Sequence, residues 1–294
     1  MIGISIHRDE ITYLQSNRKE DDLSILAHGS IKYKSYDKII PNVVNDVVRR
    51  EDVNKKDNMI SFVIDSDLCF FNEVFCEDDK NLDFHKNLSG NSNVFDYMDS
   101  YYYPINNRDD NYLGIHLNKN IKSGLISSVE ASQYSLRSIG LGLFSAEMMA
   151  RNIFGAHSLD NYLIVRFISS SVLELLYIND GILMVYGKYK ISGSSVRLVK
   201  IIGSKKDAEN IVSFLNHLIK ASRISTKNFN KIFIYQSAGQ SPIVKKIMAK
   251  KSKNVTLLNL FDYDFSNKSN KTNSRIFTDL KFADHGDLFR GLNV

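Results

Sequence analysis

The chain has 294 residues, of which 43% are hydrophobic and 24% are charged, and only three are prolines. This composition is typical of a globular protein and excludes collagenous, disordered and low-complexity chains. Two cysteines cannot build a disulfide framework, and no Cys or His spacing matches a structural zinc site, so we expect no metal. No signal-peptide pattern opens the sequence, which predicts a cytoplasmic location.

Charge is distributed unevenly along the chain. Residues 1–160 hold 17 Lys/Arg and 24 Asp/Glu, a net charge of −7, whereas residues 161–294 hold 21 and 9, a net charge of +12. Such asymmetry usually affects only solubility and association, although a basic half can also bind nucleic acid or anionic lipid. The most apolar stretch, 162–186, contains an arginine, a glutamate and an aspartate, so we do not interpret it as a membrane span.

The first half predicts a β-meander followed by alternating strands and helices. Runs rich in β-branched and aromatic residues indicate strands, and apolar residues at helical spacing indicate helices. The predicted strands are 2–6, 11–15, 23–33, 59–65, 69–76, 112–117 and 136–143. The predicted helices are about 42–50, 121–134, and a third that is capped by Ser145 and closed at Gly155. We expect the strands at 59–65 and 69–76 to pair with each other.

The second half repeats this order of elements. Its predicted strands are 162–168, 172–178, 182–191, 196–202, 231–236 and 255–261, and its predicted helices are 206–221, one opened by Ser241-Pro242, and a final one ending near 290. An Asn-Asp-Gly sequence at 179–181 is the preferred chemistry of a tight hairpin turn. Because both halves show a meander followed by β-α-β-α order, the sequence predicts a duplicated α/β fold.

An acidic, tyrosine-rich segment at 77–111 interrupts the first half and predicts a small inserted subdomain. Its aromatic residues include Phe95, Tyr97, Tyr101, Tyr102 and Tyr103. Tyrosine supplies a large contact area with a polar tip, so these residues are candidates for a partner-binding surface. Packing within a small sheet is the alternative interpretation.

Four segments, 2–12, 162–181, 232–247 and 282–292, carry a resemblance to a known family. Two are strand–turn–strand hairpins, the third is a strand, glycine turn and helix, and the last is a short terminal helix ending in Arg-Gly-Leu. They resemble the actin-like superfamily, and within it the PilM family of type IV pilus assembly proteins with the related FtsA and GspL. The resemblance implies two actin-like (ribonuclease H-like) α/β domains. The first is 1–158, including a subdomain at about 77–111, and the second, reduced, is 159–294.

The sequence departs from this family at the positions that bind nucleotide. In the family each hairpin provides an Asp for magnesium and a Gly that lets backbone amides approach phosphate. The resemblance places Ser5 and His7 at the first Asp and Gly positions, and Phe167 and Ser169 at the second. We therefore expect no catalytic residue and no ATP or magnesium cofactor. If nucleotide binds, the remaining candidates are in the adenosine-side turn: Ser237, Gly239 and Ser241.

Other candidate sites have simpler explanations. Asp65 and Asp67 follow a strand and are interpreted as turn residues rather than as a metal pair. The sequence contains no Gly-x-Ser-x-Gly elbow, and its histidines are scattered, so a hydrolase triad is not indicated. A dense lysine cluster on one predicted helix is either a solvated face or a surface for anionic lipid: Lys245, Lys246, Lys250 and Lys251.

The resemblance implies a non-catalytic cytoplasmic scaffold, peripheral at the inner membrane, that docks the cytoplasmic tail of an inner-membrane protein in a pilus or secretion assembly. In the family the docking groove lies in the inserted subdomain, which points to the aromatic residues of 77–111. The first alternative is an actin-like ATPase or kinase that keeps ATP binding, with Asp9, Glu10 or Glu174 as its metal ligand. The second is an anionic-surface binder that uses the lysine cluster. No aromatic residue alternates with those lysines, so we expect no nucleic acid.

Overall fold

A computed structural model describes residues 1–7, 10–19, 22–33, 43–49, 59–76, 95–106, 110–152, 154–220, 229–236, 243–244, 247 and 254–258. Its strands are β1 Ile2–Ile6, β2 Glu10–Lys19, β3 Asp22–Lys32, β4 Met59–Ile64, β5 Cys69–Phe75, β6 Met98–Pro104, β7 Asn111–Asn118, β8 Ser135–Leu141, β9 Asn161–Phe167, β10 Val172–Asn179, β11 Ile182–Ser192, β12 Ser195–Gly203, β13 Lys231–Gln236 and β14 Val255–Leu257. Its helices are α1 Val43–Val48, α2 Lys119–Glu130, α3 Gly142–Asn152 and α4 Lys205–Lys220.

The described residues form two compact units. The first contains residues from Met1–Leu68 and Lys119–Phe154, and the second contains residues from Cys69–Asn118 and Gly155–Leu257. The described residues of the predicted insertion, 95–106 and 110–111, belong to the second unit.

The first unit is built on a five-stranded sheet in the order β3-β2-β1-β4-β8. Strands β1, β2 and β3 form an antiparallel meander. Strand β4 pairs parallel to β1, and β8 pairs parallel to β4. The two central strands are apolar and buried along nearly their whole length, as expected of parallel strands that are covered on both faces. Helix α3 packs on β4 and β8, so the apolar side of this helix closes part of the core.

The second unit repeats this arrangement with one additional strand, in the order β12-β11-β10-β9-β13-β14. Its hairpin turn at 179–181 follows the sequence prediction, since Asp180 and Gly181 both have positive φ, 50° and 78°. Helix α4 begins after Ser204, whose hydroxyl accepts the backbone N–H of Asp207 at 3.3 Å. Its apolar face packs on one side of the sheet together with Val244 and Ile247.

Strands β5, β6 and β7 form a separate three-stranded antiparallel sheet in the order β5-β7-β6, which we call the inserted sheet. Its β7 is buried along most of its length, whereas β6 is largely exposed. The inserted sheet packs on the six-stranded sheet, where the rings of Phe71 and Tyr186 stack with centroids 4.6 Å apart.

The structure corrects two predictions of local structure. The strands at 59–65 and 69–76 do not pair, because β4 lies between β1 and β8, and a turn then takes the chain into the inserted sheet, where β5 pairs with β7. Ser145 does not cap a helix. Helix α3 already begins at Gly142, and the buried Ser145 hydroxyl donates to the Leu141 carbonyl one turn back.

The remaining predicted strands and helices that fall on described residues agree with the observed elements to within a few residues. Most of the helix predicted to open at Ser241-Pro242, and the end of the strand predicted at 255–261, lie outside the described residues. The predicted final helix lies outside the described residues. None of the described helices is long and apolar enough to cross a membrane.

Candidate functional site

A histidine–aspartate pair lies at the carboxyl ends of the parallel strands β1 and β4. Ile6 and Ile64 are in register, so His7 and Asp65 both leave the sheet at the same edge. His7 Nδ1 is 3.0 Å from Asp65 Oδ2, and the two side chains are 15% and 10% exposed. The His7 ring thus lies next to a carboxylate. At position 7 the family resemblance expects a glycine, which has no side chain.

The second oxygen of Asp65 caps the turn that follows β4. Asp65 Oδ1 accepts the backbone N–H of Asp67 at 3.1 Å and the hydroxyl of Ser66 at 3.4 Å. These bonds start the short 3₁₀ helix Ser66–Leu68, which is the ordinary turn role expected of an Asp at this place. No group of three or more His, Cys, Asp or Glu side chains able to hold a metal occurs in the described part of the chain.

Ser5, at the expected position of the first magnesium-binding Asp, is completely buried. It lies opposite Thr12 in β2 and beside Val63 in β4. Within the described residues, neither the Ser5 nor the Thr12 hydroxyl has a hydrogen-bond partner. A hydroxyl carries no charge with which to hold magnesium, so this position lacks the chemistry of the family's site.

The corresponding positions of the second hairpin do not form an ion site either. Phe167 is 1% exposed and belongs to the core that packs against α4. Ser169 lies in the hairpin loop, where its hydroxyl accepts the backbone N–H of Ser171 at 3.2 Å. The resemblance places these two residues in one motif. In the structure Phe167 lies in the core, and Ser169 lies in a turn.

The same hairpin contains a buried ion pair that the sequence analysis missed. Arg166 Nη1 lies 2.7 Å from Glu174 Oε1, and both side chains are 0% exposed. The Tyr186 hydroxyl donates to the other carboxylate oxygen at 3.4 Å. Arg166 and Glu174 are directly opposite in the β9–β10 ladder, so the spacing around the hairpin loop could have revealed them. Both carboxylate oxygens of Glu174 are thus engaged by neighbouring side chains, and its role as a metal ligand in the ATPase hypothesis stays untested.

The candidate aromatic residues of the inserted sheet divide into exposed and packed side chains. Tyr97, Tyr101 and Tyr103 are 67%, 42% and 45% exposed. Tyr102 faces the other side of β6, where it packs on Val74 and Cys76, and burial raises the pKa of its phenol. Phe95 begins the short 3₁₀ helix that leads into β6. One tyrosine of this set therefore packs within the sheet, three are exposed, and the partner-binding interpretation stays a prediction.

A buried histidine organises the inserted sheet, and the sequence analysis did not identify it. His116 in β7 is 0% exposed. Its Nδ1 lies 2.8 Å from the Ser100 hydroxyl in β6, and its Nε2 lies 2.7 Å from Asn72 Oδ1 in β5. Because both ring nitrogens have partners on neighbouring strands, His116 joins the three strands as a satisfied core residue rather than a catalytic one.

Some predicted site residues lie outside the described residues, and their predictions stay untested. They are the adenosine-side candidates and the lysine cluster: Ser237, Gly239, Ser241, Lys245, Lys246, Lys250 and Lys251.

No model of a known protein family matches this sequence, and no curated protein matches it significantly. Solved structures do match. One chain of a "PilM-PilN type IV pilus biogenesis complex" is 8% identical with a TM-score of 0.57, and the match covers 100% of this chain and 98% of that one. A Bacteroides thetaiotaomicron protein with an actin-like ATPase fold and unknown function is 11% identical, covering 87% and 90% with a TM-score of 0.47.

The cytoplasmic domain of EpsL, an inner-membrane component of the type II secretion system of Vibrio cholerae, is 7% identical, covering 86% and 95% with a TM-score of 0.42. At such identities a structural match reports on the fold alone. The full-length match to the PilM-PilN structure agrees with the repeated strand order of the two sheets. The chain therefore has the duplicated actin-like α/β fold that its sequence predicts.

Proposed function

We propose that this protein is a non-catalytic actin-like scaffold that binds the cytoplasmic tail of an inner-membrane protein in a pilus or secretion assembly. The proposal draws on the fold shared with a chain of the PilM-PilN complex, a pilus biogenesis complex of two different proteins. The protein would be located in the cytoplasm and act at the inner face of the membrane.

The observation that carries the proposal is the concentration of exposed aromatic side chains on the inserted sheet. Eight large hydrophobic side chains of the described residues are exposed, and five of them lie in this segment: Phe70, Phe75, Tyr97, Tyr101 and Tyr103. By the ladder register, Tyr101 and Tyr103 lie on one face of the inserted sheet and Phe70 lies on the other, so the two tyrosines of β6 carry the proposal. Tyrosine is enriched among the residues that dominate binding energy.

Strand β6 offers a docking mode for an extended segment. In the described residues it pairs only with β7, and Tyr101 and Tyr103 share one of its faces. An extended peptide could add to this edge through main-chain hydrogen bonds while its side chains pack against the two rings.

Charge complementarity favours a basic partner segment. The described residues of 69–118 contain four acidic residues and no Lys or Arg, a net charge of −4: Glu73, Asp96, Asp99 and Asp110. Cytoplasmic segments next to membrane spans are rich in Lys and Arg. A short basic tail of a membrane protein therefore has the charge that this acidic, aromatic surface would select.

A non-catalytic role is supported by the residues at the two hairpins. Ser5 is neutral and buried, Phe167 is in the core, and His7 is paired with Asp65. These side chains provide neither a free carboxylate for magnesium nor an open backbone for phosphate, so we propose that the protein works without ATP or metal.

Site-specific photo-crosslinking tests the docking proposal. A photoreactive phenylalanine analogue at Tyr101 or Tyr103, introduced in cells, should crosslink to a basic cytoplasmic segment of an inner-membrane protein. The analogue at Leu26, a similarly exposed residue on β3, is the control and should not give that product. Binding of the captured tail peptide should weaken about tenfold or more when both tyrosines are changed to alanine. Crosslinks to soluble proteins alone would contradict the proposal.

Nucleotide binding is tested separately, by equilibrium binding of labelled ATP with magnesium and by a thermal-shift assay. A ligand that binds the folded state raises the melting temperature. We expect no shift and no binding at about millimolar ATP, well above the Kd of an ordinary nucleotide site. Magnesium-dependent binding at micromolar ATP would favour the ATPase alternative.

A further inference from the structure

Two buried hydroxyl groups lie opposite each other in the first sheet without a hydrogen-bond partner. Ser5 in β1 is in register with Thr12 in β2, and the two residues are 0% and 3% exposed. Neither hydroxyl bonds to the other or to any other described residue. Buried polar groups in proteins are nearly always hydrogen-bonded, either to the protein or to ordered water, so two adjacent exceptions require an explanation.

The face of β1 that carries Ser5 contains little side-chain volume. Side chains alternate along a strand, so Gly3 and Ser5 share one face of β1, whereas Ile2, Ile4 and Ile6 share the other. Gly3 has no side chain and Ser5 has a short one. The side chains of β1 therefore fill little of the space around the Ser5 hydroxyl.

The chemistry of this pair selects a small neutral ligand. A hydroxyl both donates and accepts a hydrogen bond and carries no charge. A buried metal ion would need carboxylates to offset its lost hydration, and Asp65 already uses its two oxygens on the Asp67 backbone and on His7. The burial of Ser5 and Thr12 excludes a large ligand. A water molecule meets these requirements, since it donates and accepts and is the usual partner of otherwise unsatisfied buried groups.

We propose that the Ser5 and Thr12 hydroxyls together bind a buried water molecule, at the position where the family resemblance expects a magnesium-binding Asp. Each hydroxyl supplies one of the roughly two to four hydrogen bonds that a buried water makes. Water thus satisfies both groups where the family uses a charged residue and a cation. The inference does not rest on tail docking by the inserted sheet, because Ser5 and Thr12 belong to the first unit.

The first test is oxygen-17 magnetic relaxation dispersion, which counts the long-lived water molecules of a protein. The variant S5A/T12V replaces both hydroxyls by apolar groups of nearly the same shape and should hold about one long-lived water fewer than the wild type. The matched control T12S keeps both hydroxyls and removes a methyl group, so it should keep the wild-type number. In the wild type, the amide protons of Ser5 and Thr12 should show nuclear Overhauser effects to water, a readout that needs no variant.

Urea denaturation is the second test, because hydroxyls with and without a partner respond to removal with opposite sign. When water joins the two hydroxyls, S5A or T12V alone should raise the equilibrium constant of unfolding about fivefold, since each leaves a buried group with one hydrogen bond fewer. The double variant S5A/T12V should lie within about threefold of the wild type, because it leaves no polar group behind.

Three results would overturn the proposal. The first is an unchanged number of long-lived water molecules in S5A/T12V, which would mean that the hydroxyls bond to each other. The second is a lower unfolding constant in both single variants, which would mean that the hydroxyls have no partner at all. The third is a melting temperature that magnesium or potassium raises in the wild type but not in S5A/T12V, which would assign the position to a cation.

Discussion

Changing Glu174 to glutamine should destabilise the protein by about 3–5 kcal/mol, the usual cost of removing one partner of a buried ion pair. Arg166 and Glu174 are both 0% exposed, with 2.7 Å between Nη1 and Oε1. The guanidinium stays charged at any ordinary pH, so the glutamine variant leaves a positive charge in the interior without the carboxylate that faces it. The Tyr186 hydroxyl also loses a charged acceptor.

Urea denaturation measures this loss directly. The chain has 15 tyrosines and no tryptophan, so far-ultraviolet circular dichroism and tyrosine fluorescence are the suitable signals. Replacing both partners by apolar residues, as R166M/E174L, should recover most of the stability, because no buried charge remains. Glu209 is exposed on α4, and E209Q provides the matched control, with an expected change within about 0.5 kcal/mol.

Two results would refute this reasoning. A loss below about 1 kcal/mol for E174Q would be the effect of a solvated ion pair, not a buried one. A magnesium-dependent rise in melting temperature that the wild type shows and E174Q lacks would make Glu174 a metal ligand, as in the ATPase alternative.

Three further substitutions test local features by the same denaturation assay. G114A should cost about 1–3 kcal/mol, because an added Cβ would collide with the Asn72 side chain; no loss would contradict this packing. G203A should cost at least as much, since Gly203 has φ 107° and a Cβ would overlap the Met184 carbonyl; a neutral result would exclude that backbone. Y189F should be neutral or stabilising, because the buried Tyr189 hydroxyl has no hydrogen-bond partner in the described part of the chain. Burial also raises the pKa of Tyr189 above its usual 10.0, so above about pH 10 the unfolded chain loses this proton more readily than the folded protein, and stability falls as the pH rises; Y189F should lose less stability in alkali, and an unchanged pH profile would contradict this.

The sequence predicts the fold where local chemistry decides the structure. The turn at 179–181 has the residues that a two-residue hairpin turn requires, and Asp180 and Gly181 adopt the positive φ angles that such a turn needs. Helix α4 carries both its start signal and a continuous apolar face. The local sequence of each half predicts a β-meander. Because the meander occurs in both halves, the sequence indicates the duplicated sheet.

The errors concern partners that are distant in the sequence. The pairing of β5 with β7 joins residues about 40 positions apart, and nothing in the apolar run of β5 distinguishes β7 from β4 as its neighbour. The hydrogen bonds of His116 with Asn72 and Ser100, on the two neighbouring strands, depend in the same way on register. Periodicity places a residue on a face of a strand, but only the register decides which side chain stands opposite.

The candidate site shows why the changed motif positions matter for function. Ser5 is fully buried between Thr12 and Val63, so a carboxylate there would need a bound cation to offset its desolvation. The neutral hydroxyl of Ser5 needs no bound cation. In the second hairpin the phenyl ring of Phe167 needs none either, because it packs in the core. Both substitutions allow the sheets to be stable without a cation at these positions. Under the scaffold function that we propose, the binding surface is the exposed tyrosine pair of β6, Tyr101 and Tyr103, and not the strand ends.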